Sequence, residues 1–252
     1  MSGVLIIKPE PIAALAANAG AGAANLATYS PKEVWVASST DVHWFDVDMG
    51  KAIAADSFCL TYNNASVDAR WAIHTIQSIG DQGASTVYAD WLTMRAADSL
   101  GPRHHAFVRL NQSITSRFFR IIVDQGGAVP LYTGNLIIGR AFEKHRERGE
   151  DRTLIDTGNR QDLPDGGFNM GDGVVKSQFN FSFVDLTDAE RNWLYAIKRD
   201  RGLRRPVLVV EDADLNAGQN EAIHYGVFER FQAYERVNPR KTRWAGSVLD
   251  WV

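Results

Sequence analysis

The sequence predicts a mainly β protein of two units with one packed helix. Three observations predict it: eight short apolar runs separated by turn residues between positions 33 and 142, a charged interruption at 143–152, and a single helix signal set among further strand patterns after it. With 252 residues the chain has room for one large domain or two modest ones, each with a real core. The 27 Lys and Arg against 30 Asp and Glu leave a formal net charge of -3 without an acidic or basic tail. That balance argues against bulk attraction to nucleic acid or to an anionic membrane.

In chain order, "GVLII" reads as an opening strand. Lys8 and Pro9 cut it short and no basic segment precedes it, so the expectation is a soluble chain without signal peptide or membrane insertion. The stretch "ALAANAGAGAANLA", residues 14–27, lacks bulky side chains and reads as an adaptable surface loop or extended arm. The eight runs follow: "EVWVASS", "HWFDVDM", "ADSFCLTYNN", "RWAIHTIQSIG", "STVYADWLTM", "HHAFVRLNQ", "SRFFRIIVDQ" and "LYTGNLIIGRAF". Their spacing argues for an antiparallel β-sandwich over residues 1–142, arm included. "EKHRERGEDR", 143–152, has no large apolar residue to bury and reads as the linker to a second unit, 153–252.

The second unit contains the clearest local signal. Phe179, Phe181 and Phe183 alternate with Asn180 and Ser182, the period of a half-buried strand. Thr187 stands at the N-cap with Glu190 three residues on, and Asp188 adds charge that suits a helix start. Trp193, Leu194 and Ile197 form an apolar face, Lys198, Arg199 and Arg201 suit the C-terminal end, and Gly202 stops the helix, near 188–201. "RPVLVVEDAD", "AIHYGVFERFQAYER" and "RWAGSVLDWV" are the strands that follow. A small β-barrel or sandwich braced by one helix is the expected result.

No catalytic, cofactor or metal residue is assigned. Asp46 and Asp48 with His43 are tempting ligands, but the aspartates share strand parity with Trp44 and not with His43. Glu211, Asp212 and Asp214 read as a solvated strand end. His104 and His105 open a strand where neighbours face opposite ways, one exposed and one packed. There is no G-x-S-x-G, H-E-x-x-H, P-loop or strand-linked G-x-G-x-x-G, so an enzyme is not expected; a hydrolase would need an acid and base brought together by folding. "PDGGFNMGDG" reads as a flexible hairpin or a loop against a neighbour. Cys59, the lone cysteine, reads as a buried strand thiol. Trp44, Trp71 and Trp91 are assigned to cores, only one of Phe118 and Phe119 can face a core, and Arg236, Arg240, Lys241 and Arg243 read as a solvated rim that can also face an acidic neighbour.

Two resemblances add to this. "HWFDVDMGKAIAADSFCLTYNN", "SRFFRIIVDQ" and "LYTGNLIIG" resemble the galactose-binding-like jelly rolls of the discoidin and coagulation-factor type, whose members bind sugars, lipids or proteins through loops at one end; the cysteine pair common there is missing. The succession "DLTDAERNWL", "RPVLVV", "YGVFERF" and "VLDWV" resembles minor tail proteins of long-tailed bacteriophages, most of all the distal tail proteins that cap the tube. In those the tube-like domain comes first and a jelly roll follows or is inserted, whereas here the order reads as reversed. The resemblance implies a structural component of the virion tail tip, assembled in the host cytoplasm. It would form a ring, with six copies favoured over three, that joins tail tube to baseplate and meets tube, hub and fibre proteins and host glycan. The alternative is a carbohydrate-binding module with a β-rich accessory domain.

Overall fold

The computed structural model describes residues 3–83, 85–95, 104–145, 151–162, 164–165, 167–213, 220–238 and 241–251. The chain is mainly β, with one α-helix among the described residues, Asp188–Arg201, as the sequence predicts.

Two large antiparallel sheets carry the molecule. The first holds Ala14–Ala17, His43–Asn63, His104–Asp124, Arg70–Thr75 and Thr86–Thr93 in that order, with Leu136–Gly139 also on His43–Asn63. The second runs Ala141–Lys144, Val4–Ile7, Val207–Val210, Ile223–Phe231, Lys241–Asp250, Val175–Leu186 and Asp151–Asp156, with Glu235–Asn238 added on Lys241–Asp250. We call the first unit the sandwich and the second the base.

Four of the expected runs merge into two strands of 21 residues each. "MGKAIA" and "NQSIT" break the pattern without breaking the pairing, because they form bulges: register shifts between Asp48 and Ile53, and Gly50 takes φ +73° there. The bulges let the long strands fold over. Val47 pairs with Phe119, so a straight strand would hold Phe58 about 35 Å away. The Phe58 and Phe119 rings nevertheless meet at 5.6 Å across the core. Trp35, Phe45, Trp71, Ile73 and Leu136 complete that core.

The expected boundaries change. Val4–Ile7 lies in the base, between Ala141–Lys144 and Val207–Val210, so the base opens before the sandwich and resumes after it. The sandwich is therefore an insertion into the base and does not simply precede it. The expected linker is strand at both ends: Glu143 and Lys144 pair with Leu5 and Val4, and Asp151 and Arg152 with Asn180 and Phe179. Hydrogen bonding of the backbone overrode its poverty in apolar side chains. Residues 146–150 lie outside the described residues. Nor is 14–27 a free arm, since Ala14–Ala17 pairs with Phe45–Asp48 and Leu26 is buried. Its small residues permit the close approach: a side chain on Gly20 would strike the Trp35 ring.

The units share a middle layer. Leu5, Ile7, Leu208, Val210 and Tyr225 of the base meet Cys59, Tyr62, Phe107 and Ile137 of the sandwich. Val4, Ile6, Val207 and Val209 point the other way, onto the Phe179, Phe181 and Phe183 row and the helix residues Leu194 and Ile197. This explains why "VLII" and "VLVV" are apolar throughout, since both faces of those strands are buried.

The helix ends match their sequence signals. Thr187 Oγ1 accepts from the Glu190 amide and Glu190 Oε2 accepts from the Thr187 amide, a reciprocal cap. Burial opposes ionisation of Glu190, but the Thr187 amide and the Lys144 ammonium outweigh it and hold the carboxyl below its ordinary value. Gly202 closes the helix at φ +56°, donating its amide to the Lys198 carbonyl.

Candidate functional site

Strand alternation in His43–Asn63 sends Phe45 and Val47 into the sandwich core and Trp44, Asp46 and Asp48 to the outer face. Register then lines up two rows across that face. One runs Asp46, Arg120, His74, Val87; the other runs Trp44, Ile122, Ala72 and ends at Asp90 and Trp91.

The first row is organised by a two-pronged ion pair. Arg120 donates from Nε and Nη2 to the Asp46 carboxylate at 2.6 and 2.8 Å, and Nη2 also donates to the Asp81 carbonyl at 2.8 Å. Asp46 accepts the Gly80 amide at 2.7 Å, so the pair pins the turn at Gly80 and Asp81 over the sheet. The Arg120 guanidinium lies 5.7 Å from the Trp44 ring centre. Further along, Arg117 holds Asp48 in the same forked manner at the surface, and its hydrogen bond keeps that carboxyl below the ordinary carboxylate range. The two tempting metal ligands are thus arginine partners. His43 sits apart, buried against Trp35 with its Nε2 3.2 Å from the Ser39 carbonyl oxygen. Among the described residues no group of three His, Cys, Asp or Glu side chains is placed to hold a metal.

The outer edge strand, Thr86–Thr93, carries two bulges. Val87 and Tyr88 oppose His74, and Asp90 and Trp91 oppose Ala72. Tyr88 is partly exposed, and Trp91 is 42% exposed with φ +38°, a backbone region that costs a bulky residue free energy. His74 Nδ1 is 3.0 Å from Ser85 Oγ; burial lowers the pKa of the ring, while Asp90 opposes that shift. Register therefore puts two exposed aromatic residues on the edge strand beside His74, Asp90 and the Arg120 row. Rings supply stacking surface and the polar groups supply hydrogen bonds, the combination that holds a hydroxyl-rich ring.

The expectations for this region divide. Trp71 is buried as expected, but Trp44 is half-buried on the outer face because it alternates with the core residues Phe45 and Val47, and Trp91 is not a core residue: the bulge turns it outward, and a regular alternation rule cannot see a bulge. Phe119 is buried and Phe118 lies at the surface under Arg117, its ring 4.8 Å from the guanidinium carbon. His104 and His105 are both buried, against expectation, because their strand lies between the sandwich core and the shared middle layer. His105 meets the Tyr62 ring at 4.6 Å, and burial pushes its pKa down to about 3. Cys59 is buried and its thiol is pushed up by desolvation.

A second polar cluster lies in the base and is closed. His224 Nε2 is 2.8 Å from Glu211, its Nδ1 3.1 Å from Asp250, and Phe179 stacks flat on the ring at 5.2 Å. Burial disfavours the cation, but the two carboxylates outweigh it and raise His224 to about 9. Arg152 adds a second cation to Glu211 at 2.8 Å. Both ring nitrogens are engaged, so this histidine is a structural cation. The expected solvated strand end at Glu211 is instead a half-buried carboxylate joining His224 and Arg152, while Asp214 lies outside the described residues, as does Arg240 of the expected basic rim.

No protein-family profile matches the chain, and no curated protein matches it. Solved structures do. The chitosan-binding module 1 derived from a chitosanase/glucanase of Paenibacillus sp. IK-5 is 15% identical, with a TM-score of 0.42 over 52% of this chain and 98% of that one. A family 32 CBM from C. perfringens in complex with galactose is 18% identical, with a TM-score of 0.41 over 53% of this chain and 98% of that one. Among the described residues no helix is long and apolar enough to cross a membrane.

Proposed function

We propose that this chain is a non-enzymatic assembly and binding protein. Its base joins copies of itself in a ring at a phage tail tip, and its sandwich is an outward jelly roll that takes carbohydrate on the Tyr88 and Trp91 edge. The observation that carries the proposal is the insertion: Ile7 pairs with Ala141, so the chain leaves the base and returns to it at one point, and the sandwich hangs there as an appendage. An insertion supports the distal-tail reading, in which a jelly roll follows or is inserted into the tube-like domain, better than the reversed order read from the sequence does. Tube, hub and fibre proteins are the neighbours this role implies, with the virion tail as its location.

Native mass spectrometry with negative-stain imaging tests the assembly half. Rings with six-fold or three-fold symmetry and a central hole are expected; a strict monomer at every concentration sinks it. The binding half is tested by titrating the full chain with galactose, N-acetylgalactosamine and chitosan oligosaccharides while following tryptophan emission. Saturable binding that Trp91→Ala weakens by about tenfold or more is expected from loss of one stacking face. The second reading, a carbohydrate-binding module on a β-rich accessory domain, is favoured by the jelly-roll-like sandwich and its exposed Tyr88 and Trp91, and it predicts sugar binding by a monomer.

A further inference from the structure

The Phe179, Phe181 and Phe183 row lies on the face of the base sheet that packs against the helix, and that face does not stop where the helix does. Val175, and Leu154 two residues before its pairing partner Asp156, continue the same face outward along the pairing of Asp151–Asp156 with Val175–Asn180. Leu154 is 69% exposed and Val175 56%. Beyond them the chain runs into a two-stranded hairpin, Asn159–Asp162 with Phe168–Gly171, where Phe168 is also exposed. A lone two-stranded ribbon is marginal in water, and in this one the Arg160 guanidinium lies 3.6 Å from the Phe168 ring centre. Its charges lean one way: Asp156, Asp162, Asp165 and Asp172 against Arg160.

The outer side of the helix has the complementary character. Tyr195 and Tyr234 are exposed there. They form one surface: Arg191 lies over the Tyr234 ring at 5.4 Å, Tyr195 follows Arg191 by one turn, and Arg236 reaches Asp188 at 3.6 Å. Arg191, Arg199 and Arg236 outnumber Asp188 there and give it a basic character.

We propose that the arm formed by residues 151–156, 159–162 and 167–175 docks on the outer helix face of a second copy of this chain. The occupant is set by charge and shape together: an acidic sheet overhang with an apolar face meets a basic helix surface with apolar side chains. This repeats between copies the sheet-on-helix packing made within one. Arm and receptor are different surfaces, so the contact is head-to-tail and each copy offers both halves, as a ring requires. The inference rests on the ring half of the proposed function and names the surfaces that would close it.

The test is sedimentation velocity on the full chain at several concentrations and at low and high salt. An arm variant, Leu154→Asp with Val175→Asp, and a face variant, Tyr195→Asp with Arg199→Glu, are compared with the parent. All four positions are solvent-facing, so folding is preserved, and circular dichroism checks it. Each variant is expected to raise the concentration for half-assembly by about tenfold or more. Mixing the two should give dimers and nothing larger, since only one productive contact per pair remains. A charge-only variant, Asp162→Lys with Asp165→Lys, should weaken assembly more at low salt than at high. A parent that assembles with variants that assemble equally well overturns this inference and leaves the ring reading standing. A parent that stays monomeric throughout overturns the ring reading and this inference with it.

Discussion

The sandwich and the base solve the same problem, holding a β-rich core shut, by different means. In the sandwich, two long strands bend at bulges until Phe58 and Phe119, distant along the sheet, touch. In the base, a capped helix packs on one face of the sheet, while the sandwich itself packs on the other. A bulge disturbs alternation, and the sandwich therefore turns Tyr88 and Trp91 out to solvent. The base keeps alternation along Phe179, Phe181 and Phe183, so that aromatic row is buried, while Leu154 and Val175 are bare where the sheet outruns the helix and Tyr195 and Tyr234 are bare on the helix side. A self-closed unit can afford a site, and a sheet that needs cover points to a partner.

Four perturbations would break or sharpen this comparison. The largest effect is expected from removing residues 1–8. That deletes a strand with neighbours on both sides, so the base should lose its cooperative unfolding transition while amides of the sandwich core stay protected in hydrogen exchange. Equal loss in both units would mean that the middle layer makes them one cooperative body.

Next comes Asp46→Ala, which strands the Arg120 guanidinium in a largely buried position. It should destabilise the sandwich by about 3 kcal/mol in a denaturant titration. Asp48→Ala, two residues along the same strand, removes a solvent-exposed pair and should leave the midpoint nearly unchanged. Similar losses for both would show that the loop pinned by Asp46 contributes nothing.

The two units also contain opposite histidines, and pH separates them. His224 is raised to about 9 in the folded chain, so its contribution is full below the ordinary value near 6.5 and is lost as pH rises through about 9. His105 is lowered to about 3, so its contribution is full above about 6.5 and is lost as pH falls toward 3. Stability should therefore decline on both sides of neutrality. His224→Gln should flatten the alkaline arm and leave the acid arm in place, and an unchanged alkaline arm would sink the account of His224 as a structural cation.

The smallest change is expected from Thr187→Ala. Loss of the reciprocal cap should cost about 1 kcal/mol, confined to the base, as read by hydrogen exchange of the first helical turn.

What the sequence determined by itself is local. The Phe alternation, the Thr187 and Glu190 pair and the glycine after Arg201 specify a strand, a cap and a stop within two dozen residues, and the structure contains each. The burial of Cys59 and of one of the two Phe at 118 and 119 follows from strand period in the same way. The site was not legible, because Trp91 faces outward only through a register shift set by its partner strand. Nor were the partners of Asp46 and Asp48, which lie 74 and 69 residues away along the chain. Tertiary structure alone decided that Val4–Ile7 belongs with strands beyond residue 140 and that His104 and His105 are both covered. Backbone hydrogen bonds carry no residue code, so "VLII" pairs with whichever strands bury both its faces, and only the assembled layers determine which those are.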